Sequence, residues 1–210
     1  MIENYSDRKK KDLIFRKVFN MNILIAVPTF ENIDPETFKS IYNQKSKHSL
    51  SFEYVRGYDC TIARNKIARL AKNYDYVLMV DSDIILPSDA VELLTQDNPD
   101  FCVGVYPAKR SETDSELFKF EKDFTARYSF TELSQITTDR LEVKGSGLGC
   151  ALIKSAVFEK IPFPWFQYIQ YEDGDVLSED LYFCALARLL GIDILADLRV
   201  KCGHIIKKAL

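Results

Sequence analysis

The sequence is poor in the residue types that build zinc ribbons and disulfide scaffolds. It has five cysteines, two histidines and one tryptophan, and no two cysteines stand in a Cys-x-x-Cys arrangement. An odd number of widely spaced cysteines argues against both a zinc ribbon and a disulfide framework. We therefore expect reduced thiols that are mostly buried.

The chain also lacks a large excess of one charge and a long apolar run. Its 28 Lys+Arg residues and 31 Asp+Glu residues give a net charge of -3. Proteins that bind duplex nucleic acid usually carry a basic surface, so we expect no nucleic-acid partner. No run reaches the ~20 apolar residues that a membrane-spanning helix needs. The N-terminus does not have the pattern of a signal peptide, and we expect a cytoplasmic protein.

What is present suits one compact catalytic or binding domain with a short leader. The 210 residues are 47% hydrophobic and include 14 Phe and 11 Tyr, enough for a substantial core. Residues 1–20 differ, because a basic stretch is followed by apolar residues at helical spacing. We expect 1–20 to be a loosely docked leader, with peripheral contact to an anionic membrane as the alternative. Residues 21–210 are predicted to form a single domain.

Apolar runs typical of buried strands alternate with helical patterns from Ile23 onward. The strand-like runs are 23–27, 76–80, 101–105, 151–153 and about 192–196, and the clearest helices are about 61–73 and the segment between Ser178 and Gly191. This alternation predicts an α/β fold with a mostly parallel sheet. The segment 109–140 is less regular and fits either a hairpin with loops or a flap.

Two carboxylates stand at the end of one predicted strand, in Asp81-Ser82-Asp83. In open α/β sheets, ligands bind beyond the carboxyl ends of the strands. Close carboxylates repel each other, so a proton or a cation must offset their charge. A divalent ion that joins them to a diphosphate would do so, and a solvated turn is the alternative.

Basic and acidic residues near two helix starts are further candidates. Arg64 and Lys66 stand near the start of the helix after Cys60. A cation at this end of a helix interacts unfavourably with the helix dipole and destabilises the helix by about 0.3–1 kcal/mol. A bound diphosphate would offset that cost, although ordinary surface charge explains Lys66 better. Glu179-Asp180 opens the helix after Ser178, either as acids that stabilise the helix end or with one acid as a general base.

His204, a glycine cluster and the single tryptophan complete the candidates. His204 could add an imidazole to the same metal, and a mixed carboxylate and imidazole set suits Mn²⁺ better than Mg²⁺. A structural histidine is the alternative. The glycine cluster consists of Gly145, Gly147 and Gly149. These glycines would allow the backbone to come close to a ligand, or they could shape a bulge or turn. Trp165, which follows Pro162 and Pro164, could stack on a sugar or simply pack in the core.

In their order, these motifs resemble a GT-A-fold glycosyltransferase of the family 2 type. The resemblance runs from Ile23 to about His204. It rests on the strand into Val27-Pro28-Thr29, Ala63-Arg64-Asn65, Asp81-Ser82-Asp83, Gly147-Leu148-Gly149-Cys150, and Glu179-Asp180 followed by His204.

The resemblance implies a role for each matching residue. The nucleotide sugar would be bound by Pro28, Thr29, Arg64, Asn65, Asp81, Ser82 and Asp83. The metal, Mn²⁺ or Mg²⁺, would be held by Asp83, Asp81 and His204. Asp180 would be the base of an inverting reaction, with Glu179 contacting the acceptor or the transferred sugar. The acceptor or sugar pocket would include Gly147, Gly149 and Trp165.

The resemblance therefore implies a metal-dependent hexosyltransferase, with UDP-sugars favoured over GDP-mannose and inversion favoured over retention. The acceptor would be a carbohydrate, a lipid-linked molecule or a protein. Two alternatives stay open, a sugar nucleotidyltransferase and a non-catalytic module that binds nucleotide sugars or carbohydrates. A nucleotidyltransferase normally has a glycine-rich basic loop after the first strand, where this chain has Pro28-Thr29-Phe30-Glu31-Asn32.

Overall fold

A computed structural model describes residues 20–57, 59–121 and 124–206. The predicted leader, residues 1–20, lies outside the described residues except for Asn20. Across these described ranges, every helix is too short or too polar to cross a membrane.

The described residues form small helices and many strands. The helices are α1 (Pro35–Tyr42), α2 (Cys60–Leu70), α3 (Ala90–Thr95), α4 (Phe130–Ser134), α5 (Ser155–Lys160) and α6 (Glu179–Leu189), with a 3-10 turn at Ala71–Asn73. The first strands are β1 (Asn22–Thr29), β2 (Ser49–Arg56), β3 (Tyr76–Val80), β4 (Ile84–Ile85), β5 (Phe101–Val105), β6 (Asp114–Phe118) and β7 (Arg127–Ser129). The later strands are β8 (Arg140–Val143), β9 (Gly145–Ser146), β10 (Cys150–Lys154), β11 (Ile169–Gln170), β12 (Val176–Leu177), β13 (Ile194–Lys201) and β14 (Gly203–His204).

The centre of the fold is a seven-stranded sheet in the order β2-β1-β3-β10-β5-β13-β8. Strands β2, β1 and β3 are parallel, and β10 is antiparallel to both of its neighbours, β3 and β5. Strand β13 is parallel to β5, and β8 pairs antiparallel with β13 at the edge. The carboxyl ends of β1, β2, β3, β5 and β13 therefore lie along one edge of the sheet.

Apolar residues on both faces explain why the central strands are continuous hydrophobic runs. Along β1, Leu24 and Ala26 belong to one core and Ile23, Ile25 and Val27 to the other. The first core is covered by α2, α5 and α6, and the second by α1 and α3. Burial on two sides removes the polar alternation that a half-exposed strand would show.

Local sequence signals set the helix boundaries. Helix α1 begins after Asp34, whose carboxylate accepts the Glu36 N–H at 3.0 Å, with proline at its first position. Helix α2 begins after Asp59, whose carboxylate accepts the Ile62 N–H at 2.8 Å. Helix α6 follows Ser178 and is succeeded by Gly191 with a φ of 71°, a left-handed conformation that favours glycine.

The predicted fold class, α/β with a mostly parallel sheet, is confirmed, and small antiparallel sheets accompany it. For the segment 109–140, the structure agrees with the predicted hairpin rather than the flap. Strands β6 and β7 pair antiparallel there, and β9 pairs with β6. The last long strand differs from the prediction of about 192–196, because β13 spans Ile194–Lys201. The part of β13 beyond Ala196 carries Asp197 and Arg199, which form an ion pair and interrupt the apolar pattern.

Candidate functional site

The Asp81-Ser82-Asp83 segment lies at the carboxyl end of β3 and is fixed by three separate parts of the chain. The contacts are backbone hydrogen bonds from Asp81 N–H to the Gly149 carbonyl (3.0 Å), from Asp34 N–H to the Ser82 carbonyl (2.9 Å) and from Ile205 N–H to the Asp83 carbonyl (2.8 Å). These contacts hold the backbone of the segment in one position, so its side chains project from a rigid support.

His204 lies beside Asp83 because two very short strands pair. In the β4–β14 ladder, His204 is opposite Ile84 and Gly203 is opposite Ile85. The His204 Nε2 atom is 3.6 Å from the Asp83 Oδ2 atom. The Pro107 carbonyl, 2.6 Å from Nδ1, can only accept a hydrogen bond, so Nδ1 carries a proton and Nε2 faces the carboxylate.

Lys109 contacts the same carboxylate oxygen. Its Nζ atom is 2.8 Å from Asp83 Oδ2. Burial disfavours ionisation of Asp83, but the nearby His204 and Lys109 side chains outweigh it and lower its pKa to about 2. Burial likewise opposes charge on His204, yet its contacts with Asp83 and Pro107 raise its pKa above the ordinary value.

Arg64 bridges the other two acids of the predicted site. The guanidinium donates through Nη2 to Asp81 Oδ1 at 2.8 Å and through Nη1 to Glu179 Oε1. Arg64 and Glu179 are buried, and burial raises the pKa of Glu179 while Arg64 opposes that rise. Arg64 stands just past the first turn of α2, and the two carboxylates, rather than a ligand, neutralise its charge here. Its Nε has no hydrogen-bond partner within the described ranges.

Asp180 is the second residue of α6 and is half-buried. Its Oδ1 accepts hydrogen bonds from the Ser178 hydroxyl and from the Leu181 N–H, the latter at 2.8 Å. Asp180 also raises the pKa of Arg64 through charge attraction, after Asp81 and Glu179. Both contacts use the same oxygen of Asp180, so they hold this carboxylate in one position.

The side chains of the predicted metal set come together only in part. Asp83 and His204 face each other, whereas Asp81 Oδ1 is bound by Arg64. The described part of the chain contains no group of three or more His, Cys, Asp or Glu side chains that could hold a metal. Asp83 and His204 nonetheless fit one, since they offer an oxygen and a nitrogen donor and Pro107 fixes the imidazole as outer partners of metal ligands do. The other ligands would come from water and phosphate oxygens.

Two cavities at the carboxyl edge are lined in part by residues that follow β1 in the chain. A cavity of about 550 Å³ is lined by residues that include Asp34, Ser82, Asp83 and Lys109. A second cavity, of about 300 Å³, is lined by Phe30, Arg56, Gly57 and Lys66. The predicted base-binding residues Pro28 and Thr29 lie at the end of β1, where the Thr29 carbonyl accepts the Gly57 N–H at 3.2 Å.

Tyr106 occupies the space that two of the predicted pocket glycines leave open. Its hydroxyl accepts the Gly149 N–H at 2.9 Å. A Cβ added to Gly147 would lie 2.4 Å from that hydroxyl oxygen, and one added to Gly149 would lie 2.9 Å from the Tyr106 ring. These glycines therefore allow close approach of a tyrosine of the chain itself, and Tyr106 also packs edge-to-face on His204.

Trp165 and Asn65 contact each other rather than Asp83. The Asn65 side-chain oxygen accepts the Trp165 N–H at 3.1 Å, and its amide nitrogen donates to the Phe166 carbonyl at 2.7 Å. The Trp165 indole donates to the Phe158 carbonyl at 2.8 Å and packs edge-to-face on Phe158. Asn65 thus connects α2 to the loop that carries Trp165 and Phe166. Contact of Asn65 or Trp165 with a sugar stays a prediction.

Three residues at this edge were missed by sequence reasoning: Tyr106, Lys109 and Tyr168. Tyr106 and Lys109 follow the carboxyl end of β5, so the positional rule that selected Asp83 also applies to them. Burial and the nearby Glu179 carboxylate raise the pKa of the Tyr168 hydroxyl. Tyr168 stands in a loop of no regular pattern, and nothing in the sequence indicates that it lies near Glu179.

A larger cavity, about 800 Å³, lies at the opposite edge of the sheet, near the start of β3 and the end of β10. Its lining includes Met21, Asp75 and Ser155 and none of the predicted site residues. By size alone this cavity would be the better candidate for the functional site. The carboxyl edge is the better candidate because charged side chains come together there.

Comparisons with solved structures support the fold. The structure matches the crystal structure of A197 from STIV with a TM-score of 0.62 and 21% identity, over 89% of this chain and 87% of that chain. It also matches GalNAc-T7, a GT-A glycosyltransferase solved with UDP, GalNAc and Mn²⁺, with a TM-score of 0.61 and 11% identity. That match covers 90% of this chain but 44% of the GalNAc-T7 chain. No family model and no curated protein matches the sequence.

Proposed function

We propose that this chain transfers a hexose-type sugar from a nucleoside-diphosphate sugar, preferably a UDP-sugar, to an acceptor hydroxyl with inversion and with the help of Mn²⁺ or Mg²⁺. The observation that carries the proposal is the pairing of Asp83 with His204 at the carboxyl edge of a GT-A-like sheet. GalNAc-T7, which shares the fold, was solved with UDP, GalNAc and Mn²⁺.

Two parts of the site bind the donor. The end of β1 binds the base, and the end of β3 binds the diphosphate through the cation. Pro28 and Thr29 border the base, next to the cavity that contains the exposed Phe30 ring and the basic Arg56 and Lys66 side chains. Asp83 and His204 hold the divalent cation. When bound, the cation supplies positive charge to the diphosphate that leaves, a contribution of several kcal/mol.

Asp81 and Arg64 connect the donor and acceptor sides of the site. Arg64 is held by Asp81 on one side and by Glu179 on the other, so the three side chains form one buried ionic unit. Tyr168 lies near Glu179 in the loop that precedes β11, and burial and this carboxylate raise the pKa of its hydroxyl. In this arrangement Arg64 positions Glu179 against the acceptor or the transferred sugar.

The transfer itself needs a base on the acceptor side. The acceptor oxygen attacks the anomeric carbon as the bond from that carbon to the diphosphate oxygen breaks. The electron pair of that bond leaves with the diphosphate, and the acceptor proton moves to Asp180. A positioned base of this kind contributes about 10²–10⁴-fold. Carbohydrate, lipid-linked and protein hydroxyls all satisfy this chemistry.

A thermal-shift panel of UDP-, GDP- and dTDP-sugars, each with and without Mn²⁺, tests the proposal. A ligand that binds only the folded state at 100 times its Kd stabilises the protein by about 2.7 kcal/mol. For a chain of this size that corresponds to a rise in Tm of about 5–10 °C. We expect the largest rise for a UDP-sugar with Mn²⁺.

Product analysis separates the enzyme from a binding module. Transfer or slow hydrolysis of the stabilising donor supports the proposal. A metal-dependent shift without either reaction, over a panel of sugar and lipid acceptors, would instead support a nucleotide-sugar-binding module. No shift with any donor would overturn the proposal.

A further inference from the structure

Lys109 contacts the same oxygen of Asp83 that faces His204, so its charge lies where a metal ion held by these two residues would bring its own. Its ammonium is 2.8 Å from Oδ2, the same atom that faces His204 Nε2 at 3.6 Å. The carboxylate thus has a cation supplied by the chain itself. A divalent ion beside that oxygen would be repelled by an ammonium at hydrogen-bond distance.

The Lys109 side chain can leave Asp83 without disturbing the fold. It is 62% exposed, against 24% for Asp83. The turn that carries it is anchored behind it, through the Ala108 N–H bond to the Asp114 carbonyl at 2.9 Å and the bridge between Pro107 and Ser115. A flexible lysine stem on an anchored turn allows the ammonium to move while the backbone stays in place.

The space into which the ammonium can move is the cavity of about 550 Å³ that Lys109 lines together with Ser82 and Asp83. Under the proposed function, the donor diphosphate lies beside Asp83. An ammonium displaced from the carboxylate would then face phosphate oxygens, for which lysine is a good point-charge partner.

We propose that Lys109 is a displaceable counter-ion of Asp83, which competes with the divalent cation in the donor-free protein and binds the donor diphosphate once the cation has replaced it. This inference rests on the proposed function. It assigns Lys109 two opposite effects: it weakens metal binding alone, and it strengthens donor binding in the presence of metal.

Lys109→Gln removes the charge and keeps most of the length of the side chain. The matched control is Lys154→Gln, because Lys154 is also a partly exposed lysine paired with an aspartate, Asp100, at 3.4 Å, and the net charge changes equally. The first measurement is Mn²⁺ binding to donor-free protein, followed by the electron paramagnetic resonance signal of free Mn²⁺. The second is UDP binding at saturating Mn²⁺, by titration calorimetry.

We expect Lys109→Gln to lower the Kd for Mn²⁺ roughly tenfold and to raise the Kd for UDP roughly tenfold, with Lys154→Gln close to wild type. Mn²⁺ binding by the variant but not by the wild type would support the inference equally. If the wild type binds Mn²⁺ and Lys109→Gln binds it no better than Lys154→Gln, the counter-ion role is wrong and the proposed function stands. If neither the wild type nor Lys109→Gln binds Mn²⁺, the metal dependence fails and the inference fails with it.

Discussion

At the scale of single residues, the proposed metal site depends most on Asp83. Its carboxylate faces His204 and Lys109, and its backbone carbonyl is held by Ile205. Burial would raise its pKa, yet the nearby His204 and Lys109 side chains lower it to about 2, so the group stays ionised at neutral pH. An ionised carboxylate in a partly buried position is suited to bind a cation.

Replacing Asp83 with Asn should abolish the part of the thermal shift that depends on Mn²⁺. The amide keeps the shape of the side chain but removes its charge, and turnover should fall at least about a hundredfold because the metal contributes several kcal/mol. The control is Asp89→Asn, at an exposed position where the side chain makes no capping hydrogen bond. Near-native, Mn²⁺-stimulated turnover by Asp83→Asn would refute the metal role.

Replacing Asp180 with Asn should separate binding from chemistry. The amide can still accept the hydrogen bonds of Ser178 and Leu181, so α6 should remain in place. Donor affinity should be unchanged, while transfer should fall about 10²–10⁴-fold because the base is lost. Calorimetry and single-turnover transfer measure the two quantities. Equal losses of donor affinity and of transfer would show that Asp180 is only a helix cap.

At the scale of elements, the buried strands were predictable from sequence and the contacts between distant segments were not. Strands β1, β3 and β5 are continuous apolar runs, and the Asp and Pro signals before α1 mark its start. The two-residue strands β4 and β14 have no readable pattern, although their pairing brings His204 to Asp83. The hypothesis that these two residues meet came from the metal-binding chemistry of their side chains, and the family resemblance implied the same contact.

Strand β13 was predicted only in part, because charged residues that form ion pairs interrupt its apolar run. Asp197 is buried within it and is bound by Arg199 at 2.6 Å and by Arg140 of β8 at 3.3 Å. Burial opposes ionisation of Asp197, but hydrogen bonds from Arg199 and Arg140 lower its pKa. The charge is thus stable inside the sheet, where an apolar residue would be expected from the sequence.

Asp197→Asn should lower the free energy of unfolding by about 1.5–3 kcal/mol, as expected for hydrogen bonds to a charged group. Because the folded pKa lies below the ordinary value of 3.8, the ionised carboxylate stabilises the protein above that pH and stops doing so as the pH falls through the folded pKa. The variant should therefore show a weaker loss of stability in acid. Urea unfolding at several pH values measures this, with Asp193→Asn at an exposed position as the control. An unchanged acid dependence would contradict the assignment.

At the scale of the whole molecule, the topology explains why residues far apart in sequence form one site. Every strand that runs with β1 ends at the same edge, so the segments after β1, β3, β5 and β13 converge there. The fold is shared with GalNAc-T7 at 11% identity, a level at which the resemblance supports the architecture alone. The function has to be argued from the site.

The most direct test is a crystal structure with UDP and Mn²⁺ bound, in which anomalous scattering locates the manganese. We expect one manganese peak that contacts both the Asp83 carboxylate and His204 Nε2, with the diphosphate on the same ion and the base near Thr29. Manganese and nucleotide bound away from Asp83 and His204, for example in the cavity of about 800 Å³ at the opposite edge, would contradict it.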